Sequence, residues 1–222
     1  MRIAIIILAA GSSRRFGPDN KLLAEIGGEP LIVRVARTLT AVRVAGAEIE
    51  VRAVIAEPVI TEPAMAELKD PVATALAALP DDTRPLLVEN PHTATGMASS
   101  IAAGIASLPP DAAAAMIIPG DMPLLTAPVV ERLLAAFIVD GGTRPAHPLR
   151  PDGTQAGPVI WPRQWFAGLM ALEGDNGGRT LLSDTLTLAV PLDPAQLAAL
   201  ADIDTPDDLA SLAAVVNNPP EK

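Results

Sequence analysis

The feature that most constrains the fold is an apolar run near the start of the chain that stops abruptly in a polar turn. Residues 3–8 are apolar throughout, and Gly11-Ser12-Ser13-Arg14-Arg15-Phe16-Gly17 follows shortly after them. A short apolar run bounded by turn residues is typical of a strand buried on both faces of a parallel sheet. Ligands of open α/β sheets bind outside the carboxyl ends of the strands. The polar turn therefore lies where a ligand is expected.

The composition of this turn suits a polyphosphate. Small residues let backbone N–H groups approach an anion, and Arg14, Arg15 and Lys21 supply positive charge. The turn is not a Walker A loop, because Gly11 and Gly17 are not followed by Lys-Ser or Lys-Thr, and it is not a dinucleotide fingerprint either. A surface turn with solvated arginines has the same composition, so the turn alone leaves both interpretations open.

Strand and helix patterns alternate along the rest of the chain, which predicts an α/β fold with a mostly parallel, doubly wound sheet. We expect a single domain over residues 1–216, an inserted lobe around 143–184 and a loose tail at 217–222. The apolar spacing predicts helices at 31–39, 71–79, 97–108, 126–139, 164–172 and 205–216, and further strands at 51–56, 86–88, 113–118, 159–161 and 185–190.

Charge and cysteine content exclude several function classes. The net charge of −10 argues against non-specific binding of nucleic acid, so positive charge for an anionic ligand has to be concentrated locally. The absence of cysteine excludes disulfides, thiolate metal sites and a cysteine nucleophile, and it fits a cytoplasmic location. No stretch approaches the ~20 apolar residues of a membrane-spanning helix.

Acidic residues follow one predicted strand and precede the last predicted helix. Asp121 comes directly after the strand at 113–118, so its carboxylate is expected at the same sheet edge as the basic turn. A Mg²⁺ ion would turn repulsion between carboxylate and phosphate into shared coordination. Asp121 could instead organise the turn before Pro123. Asp202 and Asp204 precede the last helix, where capping explains one of them and a metal contact would explain the other.

Two further polar segments have both a functional and a purely structural interpretation. Gly96-Met97-Ala98-Ser99-Ser100 opens a predicted helix and could bind a base or a phosphate, or cap the helix. The segment from Gly174-Asp175 to Arg179 suits a loop over an anionic substrate, or a tight turn. His92 and His147 have no partners at metal-ligand spacing, and we expect both on the surface.

Together these segments resemble a known family. Leu8-Ala9-Ala10-Gly11 with Arg15-Phe16-Gly17 and Lys21 resembles the opening motif of MobA-like nucleotidyltransferases, and Gly120-Asp121-Met122-Pro123 resembles their metal-binding turn. The later segments resemble motifs of the molybdenum cofactor cytidylyltransferases within that family: Asn90-Pro91, residues 96–101, Gly174-Asp175 with Gly178-Arg179, and residues 202–209. The similarity is collinear over nearly the whole chain.

The resemblance implies a Rossmann-like three-layer α/β/α sandwich of the nucleotide-diphospho-sugar transferase type. It also implies Mg²⁺-dependent transfer of a nucleoside monophosphate to a terminal phosphate with release of pyrophosphate. Ala10 favours CTP over GTP, with molybdopterin-bound molybdenum as acceptor. The implied roles are catalysis by Arg15, Lys21 and Asp121, metal binding by Asp121 and Asp204, and acceptor binding by Asp175 and Arg179 in the inserted lobe. The implied nucleotide contacts are Leu8, Ala9, Ala10, Gly11, Ser12, Ser13, Arg15, Lys21, Gly96 and Ser100.

Some features leave alternatives open. Where the subfamily often has Gly-His-Pro-Val, this chain has Ala156-Gly157-Pro158-Val159, which leaves another phosphorylated acceptor or another NTP possible. A non-catalytic carrier or chaperone of the molybdenum cofactor is a second alternative, although retention of Arg15, Lys21 and Asp121 argues against it. We expect a monomer that serves a xanthine dehydrogenase-like molybdoenzyme or its chaperone, with no nucleic-acid or membrane partner.

Overall fold

The computed structural model describes residues 1–11, 16, 20–57, 70–182 and 186–217, with side chains up to residue 212. The strands are β1 (Arg2–Leu8), β2 (Glu25–Ile26), β3 (Glu29–Pro30), β4 (Glu48–Ala56), β5 (Leu86–Asn90), β6 (Ala112–Pro119), β7 (Ala146–Leu149), β8 (Val159–Pro162) and β9 (Leu188–Pro191). Seven of these strands form the main sheet in the order β5-β4-β1-β6-β8-β7-β9. Strands β2 and β3 form a short separate hairpin.

The main sheet is mostly parallel. Strand β1 pairs in parallel with β4 and with β6, β4 pairs in parallel with β5, and β7 pairs in parallel with β9. Strand β8 runs antiparallel to its neighbours β6 and β7. Because β1 and β6 are adjacent and parallel, the segments that follow them leave the same edge of the sheet.

Helices cover both faces of this sheet. One core joins β1 to the first, second and fourth helices through Ile5 and Ile7, and the other joins it to the third, fifth and sixth helices through Ile6. Successive side chains of a strand point to opposite faces of the sheet, so the continuous apolar run of β1 contributes side chains to both cores. The helices are α1 (Leu31–Thr40), α2 (Pro71–Ala77), α3 (Met97–Ala106), α4 (Ala127–Val139), α5 (Phe166–Met170), α6 (Arg179–Leu182), α7 (Pro194–Ala198) and α8 (Pro206–Asn217).

This architecture confirms the predicted three-layer α/β/α fold with a mostly parallel sheet. The region 143–184 contributes β7 and β8 to the main sheet, and its role as an acceptor-binding lobe stays a prediction. Within the part of the chain that the structure describes, no helix has the length and apolarity needed to cross a bilayer. Residues 218–222 of the expected tail lie outside the described residues.

The expectation that His147 lies on the surface is wrong. His147 belongs to β7, which sequence patterns did not predict, and only 2% of its surface is exposed. Its Nδ1 lies 2.9 Å from the carbonyl oxygen of Pro148, and its Nε2 lies 3.1 Å from Oγ1 of Thr187. Both ring nitrogens therefore have partners, and the ring joins β7 to the segment before β9. His92 is exposed as expected.

Candidate active site

The ends of β1 and β6 are joined directly. The backbone N–H of Gly120 donates to the carbonyl oxygen of Leu8 over 3.0 Å, at the point where both strands end. A Cβ atom at position 120 would lie 3.0 Å from that oxygen and 3.0 Å from Cδ1 of Ile32, so a glycine permits this close approach. Asp121 follows at once, and the predicted metal-binding turn therefore lies beside the end of β1.

Lys21 reaches across to Asp121. It begins a short 3₁₀ turn, which Asn20 caps by accepting a hydrogen bond from Leu22 N over 3.0 Å. The Nζ atom of Lys21 lies 2.5 Å from Oδ2 of Asp121 and 3.4 Å from Oδ1 of Asp204, and it donates to the carbonyl oxygen of Ile203 over 2.9 Å. An ammonium has three N–H donors, and three protein oxygens surround this one.

Asp121 is mostly buried and only partly satisfied. Its side chain is 14% exposed, and its Oδ1 atom is buried with no hydrogen-bond partner among the described residues. Its backbone oxygen accepts a hydrogen bond from Ile203 N over 3.0 Å, which fixes the segment carrying Asp204 beside it. A buried carboxylate oxygen without a partner is costly, and coordination of a cation would satisfy it.

The two acids fit a Mg²⁺ ion that completes its coordination elsewhere. Across residues 1–11, 16, 20–57, 70–182 and 186–217, no group of three or more His, Cys, Asp or Glu side chains could hold a metal by itself. Mg²⁺ commonly takes one or two carboxylates and fills the remaining positions with phosphate oxygens and water. Asp121 and Asp204 supply that number of carboxylates.

A cavity of about 670 Å³ lies over this edge of the sheet. Its wall contains residues that follow β1 and β6, the start of α3, and the segments around Asp175 and Asp204. Ala9 does not line it, because its side chain is buried and its N–H donates to Val54 O over 2.8 Å. Of the predicted site residues, the following line the cavity: Leu8, Ala10, Gly11, Lys21, Gly96, Ser100, Asp121, Asp175 and Asp204.

Three predicted phosphate-binding residues belong to a part of the basic turn that the structure does not describe. Ser12, Ser13 and Arg15 lie outside the described residues, so their predicted phosphate contacts stay predictions. Gly11 and Phe16, on either side of Ser12–Arg15, both line the cavity. Arg179 begins α6 and is not part of the cavity wall.

Asn90 belongs to one of the motifs that carry the family resemblance, but the sequence predicted no contact for it. It is 1% exposed at the end of β5, and its Nδ2 atom donates to Oγ of Ser99 over 2.9 Å and to Oγ of Ser100 over 3.1 Å. Its Oδ1 atom accepts from His92 N over 2.9 Å. The side chain thus fixes the hydroxyl of Ser100 at the cavity wall. A buried polar residue ending an apolar strand is the signal that could have found it.

The start of helix α8 is capped without the side chains of Asp202 or Asp204. Thr205 and Asp208 cap helix α8: Oγ1 of Thr205 accepts from Asp208 N over 3.2 Å, and Oδ2 of Asp208 accepts from Thr205 N over 2.8 Å and from Asp204 N over 3.1 Å. Hydrogen bonds to the Asp208 carboxylate, first from the Thr205 hydroxyl and then from the backbone N–H groups of Thr205 and Asp204, lower the pKa of Asp208 below its ordinary value. Thr205 is therefore the residue that caps α8. Neither acid before it is needed for the cap, and Asp204 contacts Lys21 instead.

A comparison with protein families finds one match. The family model described as MobA-like NTP transferase domain matches residues 5–190. No match was found among curated proteins.

Among solved structures, Rv0371C of Mycobacterium tuberculosis in complex with manganese is 19% identical, with 96% of this chain and 99% of that chain covered and a TM-score of 0.67. Molybdopterin-guanine dinucleotide biosynthesis protein A from Archaeoglobus fulgidus is 17% identical, with 98% and 99% covered and a TM-score of 0.68. CMP:2-keto-3-deoxy-manno-octonic acid synthetase in complex with CTP is 16% identical, with 98% and 99% covered and a TM-score of 0.67. At these identities the structures establish a shared fold. Through the family match, the chain belongs to the MobA-like NTP transferase domain family, a family of nucleotidyltransferases.

Proposed function

We propose that this protein transfers CMP from CTP to the terminal phosphate of the molybdopterin-bound molybdenum cofactor and releases pyrophosphate, with Mg²⁺ as cofactor. The observation that carries the nucleotidyl transfer is the meeting of Lys21 and Asp121, which follow two adjacent parallel strands, inside one cavity. One cationic and one anionic group at a common sheet edge suit a metal-bound triphosphate.

The chain's own residues act mainly by positioning and by neutralising charge, which is what phosphoryl transfer requires. The acceptor phosphate attacks the α-phosphorus in line, the bond to the β-phosphate bridging oxygen breaks, and pyrophosphate leaves. Lys21 leaves its carboxylate partners and stabilises the charge that grows on the α-phosphate. Backbone N–H groups of Gly11, Ser12 and Ser13 hold the phosphates, and Arg15 contacts the β- and γ-phosphates.

Asp121 and Asp204 would hold the Mg²⁺ ion, which neutralises phosphate charge when bound. Two observations support this assignment: the buried Oδ1 atom of Asp121 has no hydrogen-bond partner among the described residues, and both carboxylates lie around one ammonium. The manganese in the structure of the similar Rv0371C supports a divalent cation in this fold.

For the nucleotide, CTP is supported by Ala10, which lines the cavity in a Leu-Ala-Ala-Gly sequence. Gly96 and Ser100 line the same cavity from the start of α3 and would complete the base pocket. The similar CMP:2-keto-3-deoxy-manno-octonic acid synthetase was solved in complex with CTP, so this fold accommodates that nucleotide.

For the acceptor, support comes from the collinear motifs and from the likeness to molybdopterin-guanine dinucleotide biosynthesis protein A. The segment from Gly174 to Arg179 would face the acceptor. Gly157 stands where the subfamily often has histidine, and a Cβ atom there would meet nothing within 4 Å, so the open space could admit a different phosphorylated acceptor.

The decisive experiment measures pyrophosphate release with CTP or GTP, Mg²⁺, and either the molybdenum cofactor or a panel of sugar and alditol phosphates. We expect release only with CTP and the molybdenum cofactor. Release with GTP would revise the nucleotide, and release with another phosphate would revise the acceptor. Binding of the cofactor without any release under all conditions would instead identify a carrier. Analytical ultracentrifugation of the same samples tests the expected monomer.

A further inference from the structure

Two segments far apart in sequence meet at the start of helix α3. The carbonyl oxygen of Gly174 accepts a hydrogen bond from Ala98 N over 2.9 Å, and Oδ1 of Asp175 lies 3.3 Å from the donor Met97 N. First-turn N–H groups of a helix have no partners within the helix. Here residues 174–175, which we call the α3 clamp, supply partners for two of them.

The contact is close enough to dictate the residue at position 96. Gly96 has a φ of 105°, and a Cβ atom there would lie 2.5 Å from both the carbonyl carbon and the oxygen of Gly174. It would also lie 2.8 Å from Oδ1 of Asp175. The clamp itself therefore requires a glycine at position 96, whether or not a ligand touches that residue.

The segment behind the clamp is anchored in the core. Gly178 N donates to Oδ1 of Asn176 over 2.9 Å, and a Cβ atom at Gly178 would lie 3.0 Å from Cζ2 of the buried Trp161. A shift of residues 174–178 would thus have to disturb either the packing against Trp161 or the start of α3. The clamp ties the first turn of α3 to the sheet.

We infer that Asp175 is a positioning residue for the nucleotide half of the site and acts through α3. It holds the helix start that presents Gly96 and Ser100 to the cavity, and its Oδ1 atom is directed to a backbone N–H of that helix. This inference rests on the proposed function. It differs from the acceptor contact expected from sequence, because it requires Asp175 to affect nucleotide binding before any acceptor is present.

The test combines two measurements on the full chain and on three variants. Amide hydrogen exchange by NMR reports the N–H groups of Met97 and Ala98 without any ligand. Calorimetry with CTP and Mg²⁺, without acceptor, reports nucleotide affinity. The variants are Asp175→Ala, Asp175→Asn, whose amide oxygen can still accept, and Glu173→Ala, which removes a neighbouring exposed carboxylate that has no hydrogen bond to a described residue.

For Asp175→Ala we expect the amide exchange rate of Met97 to rise about tenfold and the Kd for CTP to rise about fivefold. Both changes are of the size expected when one charge-assisted hydrogen bond at the surface is lost. We expect Asp175→Asn to restore most of both values and Glu173→Ala to match the parent. Asp175 is exposed, and unchanged circular dichroism should show that its variants fold.

An unchanged Kd for CTP in Asp175→Ala together with a raised KM for the acceptor would overturn the inference and favour the acceptor contact. Fast exchange at both amides in the parent would also overturn it and leave the proposed function intact. A parent that binds no CTP would overturn the proposed function and the nucleotide role of Asp175, while exchange at Met97 would still report the contact itself.

Discussion

The Nζ atom of Lys21 lies 2.5 Å from Oδ2 of Asp121, so the cation expected to act on the α-phosphate is held by the carboxylate expected to hold the metal. Both side chains are largely buried, at 16% and 14% exposure. Each group therefore compensates the charge of the other in this state. When a metal–nucleotide complex binds, Lys21 has to leave Asp121 for a phosphate, and Asp121 has to leave Lys21 for the metal. This pair is therefore the most informative target for mutation.

Removing the ammonium should destabilise the protein in the absence of metal. Lys21→Met leaves Asp121 and Asp204 without their shared cation, and we expect the free energy of unfolding to fall by about 2 kcal/mol, because loss of one partner of a largely buried pair leaves an uncompensated charge. Urea titration in buffer with EDTA measures this difference.

Mn²⁺ or Mg²⁺ should restore part of the lost stability of Lys21→Met, since the metal takes the place of the ammonium between the two carboxylates. The matched control is Arg37→Met, which breaks the exposed ion pair with Glu29 and should show no such metal effect. An equal response of both variants to metal would argue against Asp121 and Asp204 as the ligands.

The same lysine should be needed for turnover. Lys21→Ala is expected to lower kcat on the order of 10²-fold or more, by analogy with the removal of an oriented donor to developing charge. Initial rates of pyrophosphate release measure the effect. Parental activity in this variant would remove Lys21 from the mechanism.

Asp121→Asn should weaken the dependence of activity on metal while the fold stays intact. The neutral amide is a poorer ligand for Mg²⁺, so we expect the Mg²⁺ concentration at half-maximal rate to rise about tenfold or more, at a loss of at least about 1.4 kcal/mol in metal binding. Asp111→Asn is the control, because Asp111 precedes β6 at its opposite end and makes an exposed ion pair with Arg2. An unchanged Mg²⁺ titration of Asp121→Asn would exclude ligation at this position.

The fold was predictable where buried strands leave a simple pattern. The apolar runs that became β1 and β6 are continuous, and the turns after them contain glycine, so both the parallel sheet and the position of Asp121 could be inferred from the sequence. Strand β7 was missed because it is only four residues long and contains His147 and Pro148, which do not mark a strand. The reversal of β8 has no local signal either, since its direction is set by pairing with β6 and β7.

Many of the residues that meet in the cavity could be named from the sequence, but the contacts between them could not. Lys21 and Asp121 follow adjacent strands, and their convergence follows from the topology. The hydrogen bond from Met97 N to Asp175 joins residues 78 positions apart, and the partners of Asn90 depend on how β5 meets α3. Such contacts are consequences of tertiary packing, which no local pattern encodes.

Gly104 should resist substitution although it lies inside helix α3. Alanine is favoured over glycine in a helix by about 1 kcal/mol. A Cβ atom at position 104, however, would lie 2.7 Å from Cγ2 of Ile6 and 3.2 Å from Cγ2 of Val54, both fully buried, and such overpacking costs about 1–3 kcal/mol. We expect Gly104→Ala to lower the free energy of unfolding by about 1 kcal/mol in a urea titration.

The control for this variant is Gly168→Ala in α5, where a Cβ atom would make an ordinary contact of 3.6 Å with Leu181. It should be neutral or slightly stabilising, because the helix preference then has no opposing clash. A stabilising effect of Gly104→Ala would show that α3 can move away from the sheet far enough to accommodate the added methyl group.

The cap of helix α8 should make a pH-dependent contribution to stability. Hydrogen bonds from the hydroxyl and N–H of Thr205 and from the N–H of Asp204 lower the pKa of Asp208 below its ordinary value in the folded protein. Because the folded pKa is depressed, the contribution is complete above the ordinary pKa of the unfolded chain and is lost as the pH falls through the folded pKa. The difference in unfolding free energy between the parent and Asp208→Asn should therefore be constant at neutral pH and shrink in acid. Carboxyl ¹³C NMR titration measures the pKa directly, and Thr205→Val should raise it toward its ordinary value by removing the hydrogen bond from the Thr205 hydroxyl. An Asp208 titration that is the same with and without the Thr205 hydroxyl would show that the backbone N–H groups alone hold the carboxylate, and that the segment bearing Asp204 does not depend on the threonine side chain.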